Sequence, residues 1–274
     1  ENVDAFECCE CNDRWEFESC ANPDDDSEEY ICRQCDRGGK RYIKSYNHKP
    51  TPLFKLATNQ KHKTDQLFFG IELEVEQKDS SVKISKMAED ISTTDTYYLK
   101  SDGSLNNGFE IVTQPHTLDM YQNHFDWQPF KALSQYGFRS YKYHDPSYNH
   151  DVGFHIHINR NAFYTKRLHE RTSSSPHLYG FLSFIYHNVP AMTRISSRNS
   201  HYGSITDTEL DNIYGYARHR SYGDRSVAVN CRNQHTIELR CFAGALNPNR
   251  ALGYLEFTHA LWAYTSAGRI SKMK

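Results

Sequence analysis

The 274-residue sequence lacks several features, and each absence removes a class of function. No uninterrupted apolar run approaches the roughly 20 residues of a membrane span, and no secretory signal opens the chain. A formal net charge of -2 gives no global attraction to nucleic acid or to a membrane surface. No glycine-rich nucleotide fingerprint follows a strand pattern, which argues against a doubly wound parallel sheet. There is no internal repeat and no low-complexity segment. Cysteine is scarce outside one stretch: six of the eight fall within residues 8–35, leaving only Cys231 and Cys241 elsewhere. The chain opens on Glu1 and stops at Lys274 directly after a helical pattern, which reads as a processed or truncated piece. What is present, 38% hydrophobic and 14% aromatic residues, is enough for a folded soluble protein with one large domain or two smaller ones.

The cysteine cluster is paired. Cys8-x2-Cys11 and Cys32-x2-Cys35 are separated by 20 residues, the spacing of a tetrathiolate zinc ribbon. Each short pair lets two thiolates from one turn meet one ion, and the intervening hairpin returns the second pair. A disulfide framework would spread its cysteines through the fold it staples, so zinc in a reducing compartment is the better account. Cys9 and Cys20 are surplus, and Cys9 competes with Cys8 as ligand. The acidic stretch Asp24-Asp25-Asp26-Ser27-Glu28-Glu29 disfavours nucleic acid as the ribbon's target and leaves a protein partner or a capping role. Residues 38–66 are rich in Lys, Pro and aromatics without periodicity and read as a basic linker that docks through Tyr46 and Phe54.

From Leu67 onward the pattern resolves into elements. Residues 67–76, 109–113, 154–159 and 236–242 alternate with period two and predict strands. Residues 83–93, 118–136 with a break near Pro129, 178–189 with a stop at Pro190, and a final stretch opened by Asn247-Pro248 predict helices. Ser101-Asp102-Gly103-Ser104 is a turn signal, in which Asp102 caps its own turn. The irregular alternation predicts an α+β fold with a mainly antiparallel sheet.

Residues two apart on a strand share a face. Glu72 and Glu74 therefore project together, as do His155 and His157, and Glu238 and Arg240, with Ile71, Leu73, Phe154, Ile156, Ile237, Leu239 and Cys241 on the opposite side. Any one such strand reads as a wet sheet face. Together the faces are filled by carboxylates and imidazoles, the ligand types of divalent cations, rather than by the usual Lys, Thr and Gln. Converging carboxylates need a compensating cation, and an adjacent Arg suits phosphate oxygens. Spacing alone leaves open whether these strands are neighbours. Glu76 shares the face of Glu72 and Glu74, and its place near the strand end predicts simple exposure.

The motifs Gly70-Ile71-Glu72-Leu73-Glu74, Asp102-Gly103-Ser104-Leu105, Gly108-Phe109-Glu110-Ile111-Val112-Thr113-Gln114-Pro115 and Gly153-Phe154-His155-Ile156-His157 occur in the order seen in the amidoligase family of phages and bacteria. Arg198-Asn199 with Tyr202, Arg225 to Asn230, Thr236-Ile237-Glu238-Leu239-Arg240 and Leu246-Asn247 continue the resemblance, which runs from about residue 67 to residue 265. The resemblance implies a glutamine-synthetase-like carboxylate–amine ligase. Its catalytic domain, residues 67–274, would be a curved antiparallel sheet with helices on its outer face, preceded by the zinc ribbon at residues 1–37. ATP and two or three Mg2+ or Mn2+ ions would occupy the concavity. Glu72, Glu74, Glu110, Glu238 and one of His155 and His157, with His157 preferred, match metal-binding positions. Arg240 matches the arginine that meets the transferred phosphate, and Arg198, Arg225 and Asn230 are candidates for nucleotide or substrate contacts. The substrates would be a carboxylate and an amine, peptide or protein included, in the cytoplasm of a bacterium or phage-infected host.

Two other functions compete. A metal-dependent hydrolase would use His155 and His157, but it leaves Glu72/Glu74 and Glu238/Arg240 unexplained. A non-catalytic binding or virion protein would retain the scaffold and dock through the ribbon, and the intact acidic pairs argue against it. The basic–aromatic stretches at residues 139–144 and 218–222 suit loops over an ATP site as well as a nucleic-acid surface, and the first reading is preferred.

Overall fold

Alternating strands need partners for both their edges and their apolar faces, and the way these needs are met builds the site. The computed structural model describes residues 42–57, 66–77, 88, 91, 95–105, 107–139, 152–164, 175–198, 203, 205, 207–218 and 227–266, with the backbone of 5–7 and 14–16. β1 (Ala5–Glu7) and β2 (Arg14–Glu16) form an antiparallel pair. The expected zinc ligands Cys8, Cys11, Cys32 and Cys35 lie outside the described residues, as do Arg225 and most of the helix expected at 83–93.

Among the described residues the remaining strands form one open, mostly antiparallel sheet. They are β3 (Ile43–Lys44), β4 (Phe69–Gln77), β5 (Tyr97–Lys100), β6 (Gly108–Thr113), β7 (Phe138–Arg139), β8 (Gly153–Asn159), β9 (Val229–Asn230) and β10 (Thr236–Ala243). The order is β3-β5-β6-β4-β8-β10-β9, with β7 paired to the end of β4. Only β3 on β5 is parallel. The chain is thus α+β, and β4, β8 and β10 lie side by side at the middle of the sheet.

One sheet face is apolar throughout. Phe69, Ile71 and Leu73 of β4 stand opposite Ile158, Ile156 and Phe154 of β8, which in turn face Ile237, Leu239 and Phe242 of β10. All are essentially inaccessible to solvent, and each contributes on the order of 1.5–3 kcal/mol of burial. The helix Pro248–Ser266 lies on this face: Tyr254 stacks on Phe242 at 4.5 Å and meets Phe154 edge-on at 5.6 Å. Asn247 Oδ1 accepts from the Asn249 N–H at 2.9 Å and caps the helix, with Pro248 in its first turn.

The prolines act as helix starters more than as stops. Between 118 and 136 the chain makes two helices, Leu118–Asn123 and Gln128–Gln135, and the break precedes Pro129, which sits in the first turn of the second. Likewise Pro176 and Pro190 open the helices Pro176–His187 and Val189–Ser196. A first-turn residue needs no N–H partner, so proline costs nothing there. Thr117 and Ser175 cap their helices by accepting from Met120 and Leu178. No helix among the described residues is long and apolar enough to cross a membrane.

His116 pairs with Phe69 at the start of β4, its ring fully buried against those of Tyr121 and Phe125, with Nδ1 bonded to the Gln114 carbonyl. Burial pushes its pKa down to about 4 despite that hydrogen bond. The unfolded chain takes up the proton below about 6.5 while the folded one does not. Stability from this group is therefore complete above that pH and falls, on the order of 1.4 kcal/mol per pH unit, until the folded pKa is reached. Urea unfolding across this window should show the slope, and His116→Asn should flatten it.

Candidate metal centre on the polar face

The opposite face of the same strands carries the expected site residues, and the register brings them together. Glu72 of β4 stands opposite His155 of β8, and His157 opposite Glu238 of β10. On the other side, Glu74 faces Glu110 of β6, which faces Lys100 of β5. Apolar packing on the far side forces these carboxylates and imidazoles into one layer.

The strand pattern places Cys241 on the apolar side, and it is buried in the hydrophobic core, but the strand is not regular there. Between the pairs Leu239↔Ile156 and Phe242↔Phe154, two residues of β10 oppose one of β8, so β10 carries a bulge at Arg240 and Cys241. The extra residue brings Phe242 opposite Phe154, and both Cys241 and Phe242 are buried in the core. It also takes the Arg240 backbone out of the β8 ladder: its N–H donates to the Ala228 carbonyl at 2.8 Å and its carbonyl accepts from Arg198 Nη1 at 2.6 Å. The Arg240 side chain is left at the rim, with Nη1 2.5 Å from Glu238 Oε1 and Nε buried without a hydrogen-bond partner.

Donor atoms of Glu72, His155 and Glu238 all lie within 4.8 Å of one another. His155 Nδ1 is 3.6 Å from Glu72 Oε2 and 3.6 Å from Glu238 Oε1, and its Nε2 is 3.8 Å from Glu74 Oε1. These separations are too long for hydrogen bonds, and both ring nitrogens, fully buried, have no hydrogen-bond partner. An unsatisfied buried imidazole ringed by carboxylate oxygens has the spacing of a ligand set that could hold a cation. His157, preferred from the motif, is the more exposed of the two and instead contacts Glu72 Oε1 at 3.2 Å through Nε2. The geometry puts His155 in the three-donor group.

Burial and neighbouring charge together set the ionisation of this layer. Burial would raise the Glu72 carboxyl, but His157 and His155 hold it well below the usual carboxylate range. Glu238 is likewise lowered against its burial by His157, His155 and Arg240. His157 is pulled up to about 9: burial would lower it, but the Glu72 carboxylate 3.2 Å away, with Glu238, outweighs that. Glu110 moves the other way, to about 8, because burial and the Glu72 charge outweigh Lys100 at 2.8 Å. Imidazolium, ammonium and guanidinium groups thus offset the carboxylate charge of the layer.

The remaining candidates divide into those that face the cleft and those that brace it. Glu74 Oε2 accepts from the Gly153 N–H at 2.6 Å, which fixes its orientation. Asn230 Nδ2 donates to Glu238 Oε2 at 2.8 Å, so it orients a carboxylate. Arg198 is buried with its guanidinium on the Arg240 backbone and braces the bulge. Asp102 accepts from Ser104 and caps its turn while lining the cleft. Glu76, expected at the surface, is buried, because the sheet extends past it to β6 and β7.

The polar layer floors a cleft of about 730 Å3. Its walls include residues that the strand patterns missed: Tyr46, Lys49 and Lys100 at one end, Arg232 and Asn233 at the other. Lys100 was legible as the end of a strand and Lys49 as part of a basic linker, but neither carries a ligand signature of its own. Compared with known proteins, the chain matches no protein-family model and no curated protein.

Proposed function

We propose that the chain is an ATP-dependent ligase that joins a carboxylate to an amine through an acyl phosphate, at a divalent-cation site formed by Glu72, His155 and Glu238. The observation that carries the metal is the orphaned, fully buried His155 ring between two carboxylates. The mixed oxygen and imidazole donor set suits Mg2+ and, better, Mn2+, since imidazole is a softer ligand than water or carboxylate. The ligase reading rests on the ordered motifs together with a phosphate-binding arginine placed beside that cluster. The fold these motifs imply is the glutamine-synthetase-like one, and the zinc ribbon at residues 1–37 is its proposed protein-docking module.

In this account the substrate carboxylate oxygen attacks the γ-phosphorus of ATP, and the bond to the β-phosphate oxygen breaks to release ADP. The amine nitrogen then attacks the acyl carbon, phosphate departs, and the amine gives up a proton. A bound divalent cation would neutralise the phosphate oxygens during transfer. Arg240, planar and held by Glu238, offers its guanidinium edge to the γ-phosphoryl group as charge shifts during transfer. Lys100 and Lys49 add positive charge at the opposite wall. Asn230 and Glu74, which also line the cleft, hold Glu238 and the Gly153 backbone in place.

The direct test incubates the protein with Mg2+ or Mn2+, ATP and panels of carboxylates and amines. ADP should form only when both co-substrates are present, and label from a heavy-oxygen carboxylate should appear in the released phosphate. Metal-dependent cleavage of simple amides without ATP would instead identify a hydrolase.

Gly153 supplies a further check. A Cβ there would lie 2.6 Å from both His155 Nε2 and Arg198 Nη1. Gly153→Ala must therefore displace one of them, and His155, which has no hydrogen bond to hold it, is the side chain that gives way. The affinity for Mn2+ should fall about 10- to 100-fold, the range for groups that orient metal ligands. Calorimetry reads this directly, and an unchanged affinity would show that His155 is not a ligand.

A further inference from the structure

The segment before the first long strand is tied to the sheet at two points. At one end, β3 pairs in parallel with β5, and Ser101 N–H donates to the Lys44 carbonyl at 2.9 Å. At the other, Leu53 N–H donates to Gln114 Oε1 at 2.9 Å, Lys55 N–H to the Pro115 carbonyl at 2.8 Å, and Phe54 packs edge-on against Phe68 at 4.9 Å. The stretch between carries Pro50 and Pro52, which restrict it, and His48 rests edge-on against Tyr98 of β5 at 5.1 Å. What this strap holds over the cleft is specific: Tyr46 and Lys49 both line it.

Tyr46 is 53% exposed, unusual for an aromatic residue fastened at a cleft wall. Lys100 Nζ lies 5.3 Å from its ring centroid, which fixes the ring by a cation–π contact and leaves most of its surface open. Lys49 is exposed and has no ion-pair partner among the described residues. From β5 to β10 is four interstrand spacings, about 19 Å. Across that span the cleft therefore runs from an aromatic ring and two ammonium groups, over the Glu72/His155/Glu238 cluster, to Arg240 and Arg232. A ligand matched to this sequence has a flat ring at one end and a chain of anionic groups leading from it, at the length of an extended nucleoside triphosphate.

We infer that the strap of residues 45–52 is a nucleotide-binding element, with Tyr46 stacking on the base and Lys49 and Lys100 meeting the phosphates nearest the ribose. This rests on the ligase reading and adds the direction of the nucleotide. The γ-phosphate points towards β10 and Arg240, so the carboxylate substrate enters from the wall formed by Arg232 and Asn233. Residues that precede the amidoligase-like motifs thereby complete the site.

The test is calorimetric titration of the full chain with Mg2+-ATP and, separately, with Mg2+-tripolyphosphate, which lacks the ring. Tyr46→Ala should weaken ATP about tenfold and leave tripolyphosphate unchanged, as loss of one stacked base requires. Tyr46→Phe, which keeps the ring, should restore ATP affinity to within about threefold. Lys49→Ala should weaken both ligands and reduce their salt dependence. If Tyr46→Ala leaves ATP binding unaltered, or weakens both ligands equally, the inference is overturned while the ligase reading stands. If the wild-type chain binds Mn2+ but neither ligand, the ligase reading falls and the inference with it.

Discussion

Glu72→Gln should raise the Kd for Mn2+ by roughly 100-fold or more while leaving the metal-free protein folded. A ligand carboxylate lost from a three-donor site costs at least what an orienting neighbour costs, which sets the lower bound. The stability half of the expectation follows from the charges around Glu72. Its carboxylate attracts His157 and His155 but repels Glu110 and Glu238. Without it His157 loses the cause of its raised pKa and can become neutral, and the repulsion is relieved. Opposing effects of this kind partly cancel, so the metal-free variant should remain folded. Calorimetry with Mn2+ and thermal unfolding in chelator separate the two. A variant that lost Mn2+ only because it unfolded would show itself in the second experiment.

Arg240→Ala should have the converse signature: metal binding kept, phosphoryl transfer lost. Arg240 Nη1 lies against Glu238 Oε1, the oxygen that is 3.6 Å from His155 Nδ1. Removing the guanidinium frees that oxygen, so Mn2+ should bind as tightly as before or more tightly. The rate of ADP formation should fall about 100- to 1,000-fold, the usual effect of deleting one preorganised donor to a transition-state charge. Arg240→Lys keeps the charge but not the planar fork, and should recover only part of the rate. Equal loss of metal affinity in the Glu72 and Arg240 variants would mean that both act on the same step, contrary to the roles assigned.

Much of the polar layer was legible in the sequence because strand periodicity is rigid. Once Ile71, Leu73, Phe154, Ile156, Ile237 and Leu239 go to the apolar side, Glu72, His155 and Glu238 have nowhere else to point. Adjacency was not legible, because register between strands far apart in sequence depends on packing of the whole sheet. The choice between the two histidines stayed open in the sequence for a related reason. Both satisfy the alternation, and only the cross-strand position of His155, opposite Glu72 and beside Glu238, separates them. The bulge at Arg240 left no trace, since neither Arg240 nor Cys241 is a residue that announces one. Glu76 was misjudged because its burial comes from β6 and from the two-residue strand β7, too short to show a period. The strap was read as a linker for want of periodicity, yet two strand residues and a few backbone hydrogen bonds suffice to fasten it.

The central claim is that Glu72, His155 and Glu238 hold a divalent cation on which a nucleotide's phosphates converge. Crystals of the protein soaked with Mn2+ and a non-hydrolysable ATP analogue test it in one experiment, because manganese is located by its anomalous scattering. The account predicts an anomalous peak at coordination distance from Glu72, His155 and Glu238, with the γ-phosphate between that peak and Arg240. Saturating Mn2+ with no peak among these three side chains, or nucleotide bound away from them, would contradict it.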